Sequence, residues 1–417
     1  MLKAVFAVTL AIATVALAER ASAEDYRWLQ FGPQGLEARA IASGPSCPAA
    51  AIDGKAAEMA LRAAPDSAYP IRVCSLSVPA GATSVAVAGV ALALPPAEPK
   101  RILVIGDTGC RLKGKTVQAC NDPVAWPFRQ NAATAAAMKP DLVIHVGDYH
   151  YRETACPAGD AGCAGSPFGD NWAVWQADFF SPAKPLLTAA PWVFVRGNHE
   201  ICSRGGKGWA HALDPRPYDA AVGCLGQAAA YRVTIGSLSL VVLDVSDADE
   251  GPPDMALAAA LKPQFDALAQ VPKDGWLLMH RPIWAVVPIW AVVKVKGDTL
   301  VGGNATLAAA TGGAISQNVS LMLAGHVHSF EVINYEGGLP PQLVVGEGGD
   351  WLDRDTPHDL AGFTVANAKI KSGLTVPAVF GFVMLEKDAD GWSATSYDTQ
   401  GKPLRHCRIA GQTIACD

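Results

Sequence analysis

Seven residues of metal-binding type stand at or just beyond the ends of short apolar runs: Asp107, Asp148, Tyr151, Asn198, His280, His326 and His328. Carboxylate, amide and phenol oxygens combined with imidazole nitrogens suit a two-metal site, in which one carboxylate bridges ions about 3.5–4 Å apart. Such a site turns water into a nucleophile and neutralises charge on a reacting oxyanion, so the chemistry open to these residues is metal-assisted hydrolysis. Any one signal is weak, because Gly-Asp at a strand end is usually a turn and a single His is more often a satisfied core residue. Five donor-bearing run ends in one chain make a constellation. Beside it, His199 follows Asn198 directly and is a candidate general acid.

The runs that must position these donors are Arg101–Asp107, Asp141–Asp148, Trp192–His199, Gly275–His280 and Ser320–His328. Each is short and apolar and stops at a polar residue, which predicts a buried strand. Ala-rich stretches at Arg129–Met138 and Met255–Leu268 predict helices between them. Strands buried on both faces need a layer on each side, so the expected architecture is α/β with mostly parallel or mixed central sheets. In open α/β sheets ligands collect beyond the carboxyl ends of the strands, where the donors would converge. A sixth run, Ser237–Asp244, also ends in Asp, and Asp244 reads as structural because the donor set is complete without it. His145, inside a strand, reads as a hydrogen-bonded core residue, and His150 could reach the cleft; His211, His358 and His406 read as loop residues.

The 417 residues are 50% hydrophobic and 17% charged, which excludes a disordered or fibrous chain. A net charge of -6 leaves no basic footprint, so no nucleic-acid partner is expected. Residues 1–23 read as a signal peptide: Lys3 precedes the apolar run Ala4–Ala18, and Ala21-Ser22-Ala23 is a small-x-small cleavage site. The run is too short for a membrane span. Residues 24–97, apolar stretches broken by Gly and Pro and closed by Pro95-Pro96-Ala97-Glu98-Pro99, predict a small β-rich N-terminal domain before a catalytic domain over 98–417. All ten cysteines follow the cleavage site, and in an exported chain, periplasmic or extracellular, they read as disulfides. Sequence leaves the connectivity open, but clustering suggests Cys47–Cys74, Cys110–Cys120, Cys156–Cys163, Cys202–Cys224 and Cys407–Cys416. The hexapeptide Pro-Ile-Trp-Ala-Val-Val occurs in tandem at 282–287 and 288–293 and reads as a packed loop or strand pair, or as an apolar wall beside the site.

Five motifs occur in order: Asp107-Thr-Gly109, Gly147-Asp-Tyr-His-Tyr151, Gly197-Asn-His-Glu200, His280 after Leu277-Leu-Met279, and Gly325-His-Val-His328. With them the chain resembles the calcineurin-like metallophosphoesterases, and within these the purple acid phosphatases, over roughly residues 98–350. The resemblance implies a four-layer α/β/β/α sandwich. Most metallophosphoesterases carry His two positions after the first Asp; here that place is Gly109, and Tyr151 replaces the missing donor. A phenol becomes a good ligand only beside a strongly polarising ion, which favours Fe(III).

By resemblance, Asp107, Asp148, Tyr151 and His328 would hold the ferric ion, and Asp148, Asn198, His280 and His326 a divalent one (Fe, Zn or Mn), with Asp148 bridging. His199 would act as general acid or phosphate contact, with Glu200 orienting its ring and His150 nearby. The function implied is a secreted acid phosphatase that hydrolyses small phosphate monoesters by attack of a metal-bound hydroxide. The alternatives are a phosphodiesterase or nucleotide hydrolase on the same fold, and a non-catalytic iron- or phosphate-binding protein. Two departures are visible: Leu277 stands where the family carries Val, and no His occurs between 280 and 326, where some relatives have more. The sequence leaves the oligomeric state open.

Overall fold

A computed structural model describes residues 25–286 and 303–417. The expected signal peptide and the whole second copy of the hexapeptide lie outside the described residues.

All five donor-bearing runs form strands: Arg101–Ile105, Leu142–His145, Trp192–Phe194, Gly275–Leu278 and Val319–Ala324. The first three lie parallel and adjacent in an eleven-stranded sheet. The other two are parallel neighbours in an eight-stranded sheet, flanked by the parallel strands Leu238–Val242 and Gln342–Val345. Alternate residues of one strand serve different layers, as the two-residue period of a strand requires. Ile102 and Val104 pack between the two sheets with Leu240, Leu278 and Leu323. Leu103 and Ile105 face outward onto Phe128, Ala132 and Ala135 of the helix Phe128–Ala137. On the far side, Leu277 and Met322 pack against Leu261 and Phe265 of the helix Met255–Asp266. Asp254 caps that helix by accepting from the amides of Ala256 and Leu257. The layers therefore run α/β/β/α.

The N-terminal stretch is β-rich and attaches through its backbone. Tyr26–Gly32 pairs in parallel with Trp192–Phe194, Gln30 standing opposite Trp192, and Gly35–Ala42, Arg72–Ser77 and Ala60–Ala63 continue the eleven-stranded sheet. This ribbon covers a strand edge that would otherwise be open to pairing with another chain. The remaining short strands form a separate four-stranded sheet over Leu29, Ala38, Met59 and Val85.

The five cysteine pairs suggested by clustering are the five disulfides, and no cysteine is free among the described residues. They suit an oxidising, exported setting. No helix among the described residues is long and apolar enough to cross a membrane. The described part of the first hexapeptide copy, residues 282–286, packs in the core: Trp284 is buried, donates from its ring to Asn367 Oδ1 at 3.0 Å, and its carbonyl accepts from Tyr335 and Gln342. His406 lies on the strand Pro403–Ala410 and His211 in a buried helical turn, Trp209–Leu213, where sequence suggested loops.

Candidate metal centre

Parallel strands put their carboxyl ends on one side, and packing the two sheets face to face brings two such edges together. Tyr151 shows the convergence: its hydroxyl is 3.0 Å from Asp107 Oδ1, 2.8 Å from Asp148 Oδ2 and 3.1 Å from His328 Nε2. Next to it, His280 Nε2 lies 3.2 Å from Asp148 Oδ2 and 3.0 Å from Asn198 Oδ1. Ligand atoms of Asp148, His280 and His326 fall within 4.8 Å of one another, a grouping that can hold a metal ion. Asp148 belongs to both clusters.

The backbone is shaped to allow this crowding. Asp107, Asp148 and His326 adopt φ of +54°, +60° and +72°, a region that costs energy for residues other than glycine and that clusters at functional sites. At Gly109 an added Cβ would stand 2.6 Å from the Tyr149 carbonyl oxygen and 2.9 Å from Tyr151 Cδ2, so the space a side chain would take is filled by the Tyr151 loop. At Gly147, with φ of +104°, a Cβ would come within 2.4 Å of His280 Nδ1.

The rings are held from behind. His280 Nδ1 donates to the Val146 carbonyl at 2.8 Å and His328 Nδ1 to the Trp351 carbonyl at 2.6 Å, so each Nε2 turns into the cluster. Burial opposes charge on both imidazoles. The facing Asp148 carboxylate nevertheless holds His280 up at about 9, and Asp350 with Asp107 holds His328 up at about 10. Burial, then Asp107 and Asp148, pushes the Tyr151 phenol well above its ordinary range. Buried carboxylates here are thus balanced by protons, the positions a metal cation would take over when it deprotonates its ligands. The donor set and the charge both fit metal ions.

His199 lies over the Tyr151 ring with centroids 3.8 Å apart, and its Nε2 is 3.8 Å from Asp148 Oδ2. Its Nδ1 faces the His150 carbonyl at 3.0 Å and Glu153 Oε1 at 2.9 Å. Burial is the main cause that lowers this imidazole to about 3, with Arg204 adding to it against Asp148 and Glu153. Glu200 does not touch the His199 ring. Its carboxylate accepts from four backbone amides, those of Asp148, Tyr149, His150 and Gly197, at 2.9–3.1 Å, and so ties the second motif to the third. His150 directs Nε2 to the Gly169 carbonyl at 3.1 Å and does not line the cleft. His145 is a core residue, hydrogen-bonded to Thr108 and Gly147. Asp244 accepts from Ala228 and Ser246 away from the cleft.

Asp107 and His280 are fully buried, while Asp148, Tyr151, Asn198, His199, His326 and His328 line a cleft of about 420 Å³. Four cations that sequence reasoning missed line it too: Arg111, Lys113, Arg204 and Arg281. Arg111 pairs with buried Asp350 and stacks over Tyr151, Arg204 pairs with Glu153, and Arg281 pairs with Asp249 and Glu250. Glu250 also meets His326 Nε2 at 2.7 Å. Arg111 and Arg281 each stand near a motif residue in sequence, which is the signal that could have found them; Arg204 and Lys113 carry no such mark.

Residues 100–330 match the family described as calcineurin-like phosphoesterase. No curated protein sequence matches the chain. Among solved structures, purple acid phosphatase PPD1 from yellow lupin (Lupinus luteus) seeds is similar at a TM-score of 0.53 and 14% identity, over 91% of this chain and 73% of that one. PhoD is similar at a TM-score of 0.53 and 13% identity, over 94% of this chain and 91% of that one. At these identities the likeness is one of fold.

Proposed function

The chain belongs to the calcineurin-like phosphoesterase family, whose members are metal-dependent hydrolases, and from that premise we propose an exported acid phosphatase of purple acid type acting on phosphate monoesters. In this reading Asp107, Asp148, Tyr151 and His328 would hold Fe(III), and Asp148, Asn198, His280 and His326 would hold Fe, Zn or Mn as the divalent ion, with Asp148 common to both sets. The observation that carries it is the Tyr151 hydroxyl, within 3.1 Å of Asp107, Asp148 and His328 in space left by Gly109. Bound metal ions supply a nucleophile from water and offset charge on the phosphoryl oxygens.

The chain's own residues do the rest. Arg111, Arg204, Arg281 and Lys113 line the cleft and receive the non-reacting phosphoryl oxygens, the three arginines while paired with Asp350, Glu153, Asp249 and Glu250. Burial lowers the His199 imidazole, its Nδ1 faces Glu153 and the His150 carbonyl, and Arg204 Nη2 lies 2.7 Å from its Nε2. A docked phosphate adds negative charge at Nε2, favours the imidazolium, and lets His199 donate to the leaving oxygen.

The test is the visible spectrum of purified oxidised protein beside that of Tyr151→Phe. A charge-transfer band present in the first and lost in the second is the expected result. Colourless, iron-free, active protein would overturn the ferric assignment and leave Tyr151 a packing residue. Parallel assays of a monoester and a bis-ester at acid pH decide the substrate class, and preference for the bis-ester would point to a phosphodiesterase.

A further inference from the structure

A second cavity of about 370 Å³ adjoins the cleft and shares Arg111, His328 and Asp353 with it. Its wall carries Trp351, which is 48% exposed. The nine other tryptophans among the described residues are not among the exposed large apolar residues. A single exposed apolar side chain is ordinary on a protein surface, and what sets this one apart is its place in the wall of a cavity that adjoins the donor cluster.

The segment presenting this ring is fixed at every step. The Trp351 carbonyl accepts from His328 Nδ1 at 2.6 Å, Asp350 is locked by Arg111, and the Asp353 carboxylate accepts from the His328 amide at 2.9 Å. The main chain of Trp351 is thereby anchored to the ring of a candidate ligand, which places its side chain beside the cluster. Around it stand Thr116, on the hairpin closed by Cys110–Cys120, and Arg354 and Asp355, so the lining charges offset one another. Such a cavity favours an uncharged planar group over an anion.

We propose that this cavity is the leaving-group subsite and that Trp351 selects phosphate esters whose alcohol carries a planar aromatic or heteroaromatic ring. The inference rests on the phosphoesterase reading of the adjacent cleft. The phosphoryl group docks beside His328 and the ring of the alcohol stacks on the indole, as bases and aromatic ligands stack on tryptophan elsewhere.

The experiment compares phenyl phosphate and adenosine monophosphate with glycerol phosphate on the wild-type holoenzyme, Trp351→Ala and Trp351→Phe. For Trp351→Ala the expected result is a loss in kcat/KM of about tenfold on the two ring-bearing esters, carried by KM, with glycerol phosphate nearly unchanged. Trp351→Phe restores most of the loss. An equal effect on all three esters, or none on any, overturns the subsite. Calorimetric titration with adenosine separates this failure from that of the underlying reading. If wild-type protein binds adenosine, Trp351→Ala does not, and no ester is turned over, the subsite stands and the phosphoesterase reading falls.

Discussion

At the scale of single residues, the centre depends on small side chains as much as on ligands. Gly109 is the clearest case, since a Cβ there would press on the Tyr149 carbonyl, part of the backbone that carries Tyr151. Gly109→Ala is therefore expected to cost about 1–3 kcal/mol and to displace the Tyr151 hydroxyl. Iron content and the charge-transfer band should fall together, and a variant with wild-type stability and spectrum would refute the packing argument. Glu200 is a second case, because one carboxylate satisfies four amides. Glu200→Gln turns a donor toward donors, with an expected loss of about 1–3 kcal/mol in chemical denaturation and reduced metal retention on dialysis. Unchanged stability would show that the four amides find other partners.

At the scale of elements, three disulfides brace loops that carry candidate ligands. Cys110–Cys120 closes the hairpin after Asp107, Cys156–Cys163 follows Tyr151, and Cys202–Cys224 follows Glu200. Reduction is expected to release metal as well as lower Tm, measured by metal analysis after a thiol reductant whose effect on iron itself is controlled. Loss of Tm with full metal retention would mean that the bridges stabilise the fold alone.

The helical turn Trp209–Leu213 offers a pH signature away from the metal centre. His211 is buried against Tyr69 and Tyr218, hydrogen-bonds to the Tyr218 hydroxyl at 2.8 Å, and is lowered to about 4, mainly by burial. A base depressed in the folded state contributes stability above its unfolded pKa and loses it as pH falls through the folded value. Stability should therefore decline between about pH 6.5 and pH 4. His211→Gln should flatten that part of the unfolding curve, and an unaltered slope would locate the titrating group elsewhere.

At the scale of the whole molecule, the N-terminal ribbon and the core sheet are one hydrogen-bonded surface. Tyr26 and Trp28 pack with Phe180 and Trp192 in the same core as the helices behind the first sheet. Removing residues 25–97 would uncover the edge of Trp192–Phe194, the strand that leads to Asn198 and His199. The truncated chain is expected to aggregate where the full chain stays monodisperse in size-exclusion chromatography. A soluble truncated chain with undiminished metal content would show that the ribbon is dispensable.

The strands and the donor types are legible in the order of the residues alone. A buried strand ending in Gly plus a polar residue is a local pattern, and each of the five runs carries its own; Tyr151 with Gly109 is likewise readable within one motif pair. Cysteine neighbours along the chain were neighbours in space because short loops close most readily. What surrounds the donors follows from packing in three dimensions. Arg204 reaches the cleft from a turn and Lys113 from the short strand Leu112–Lys113, Glu200 turned to backbone amides rather than to His199, and the Trp351 carbonyl is held by the His328 ring. These contacts join residues far apart in the chain, and their geometry depends on how two sheets stack, which no local periodicity encodes.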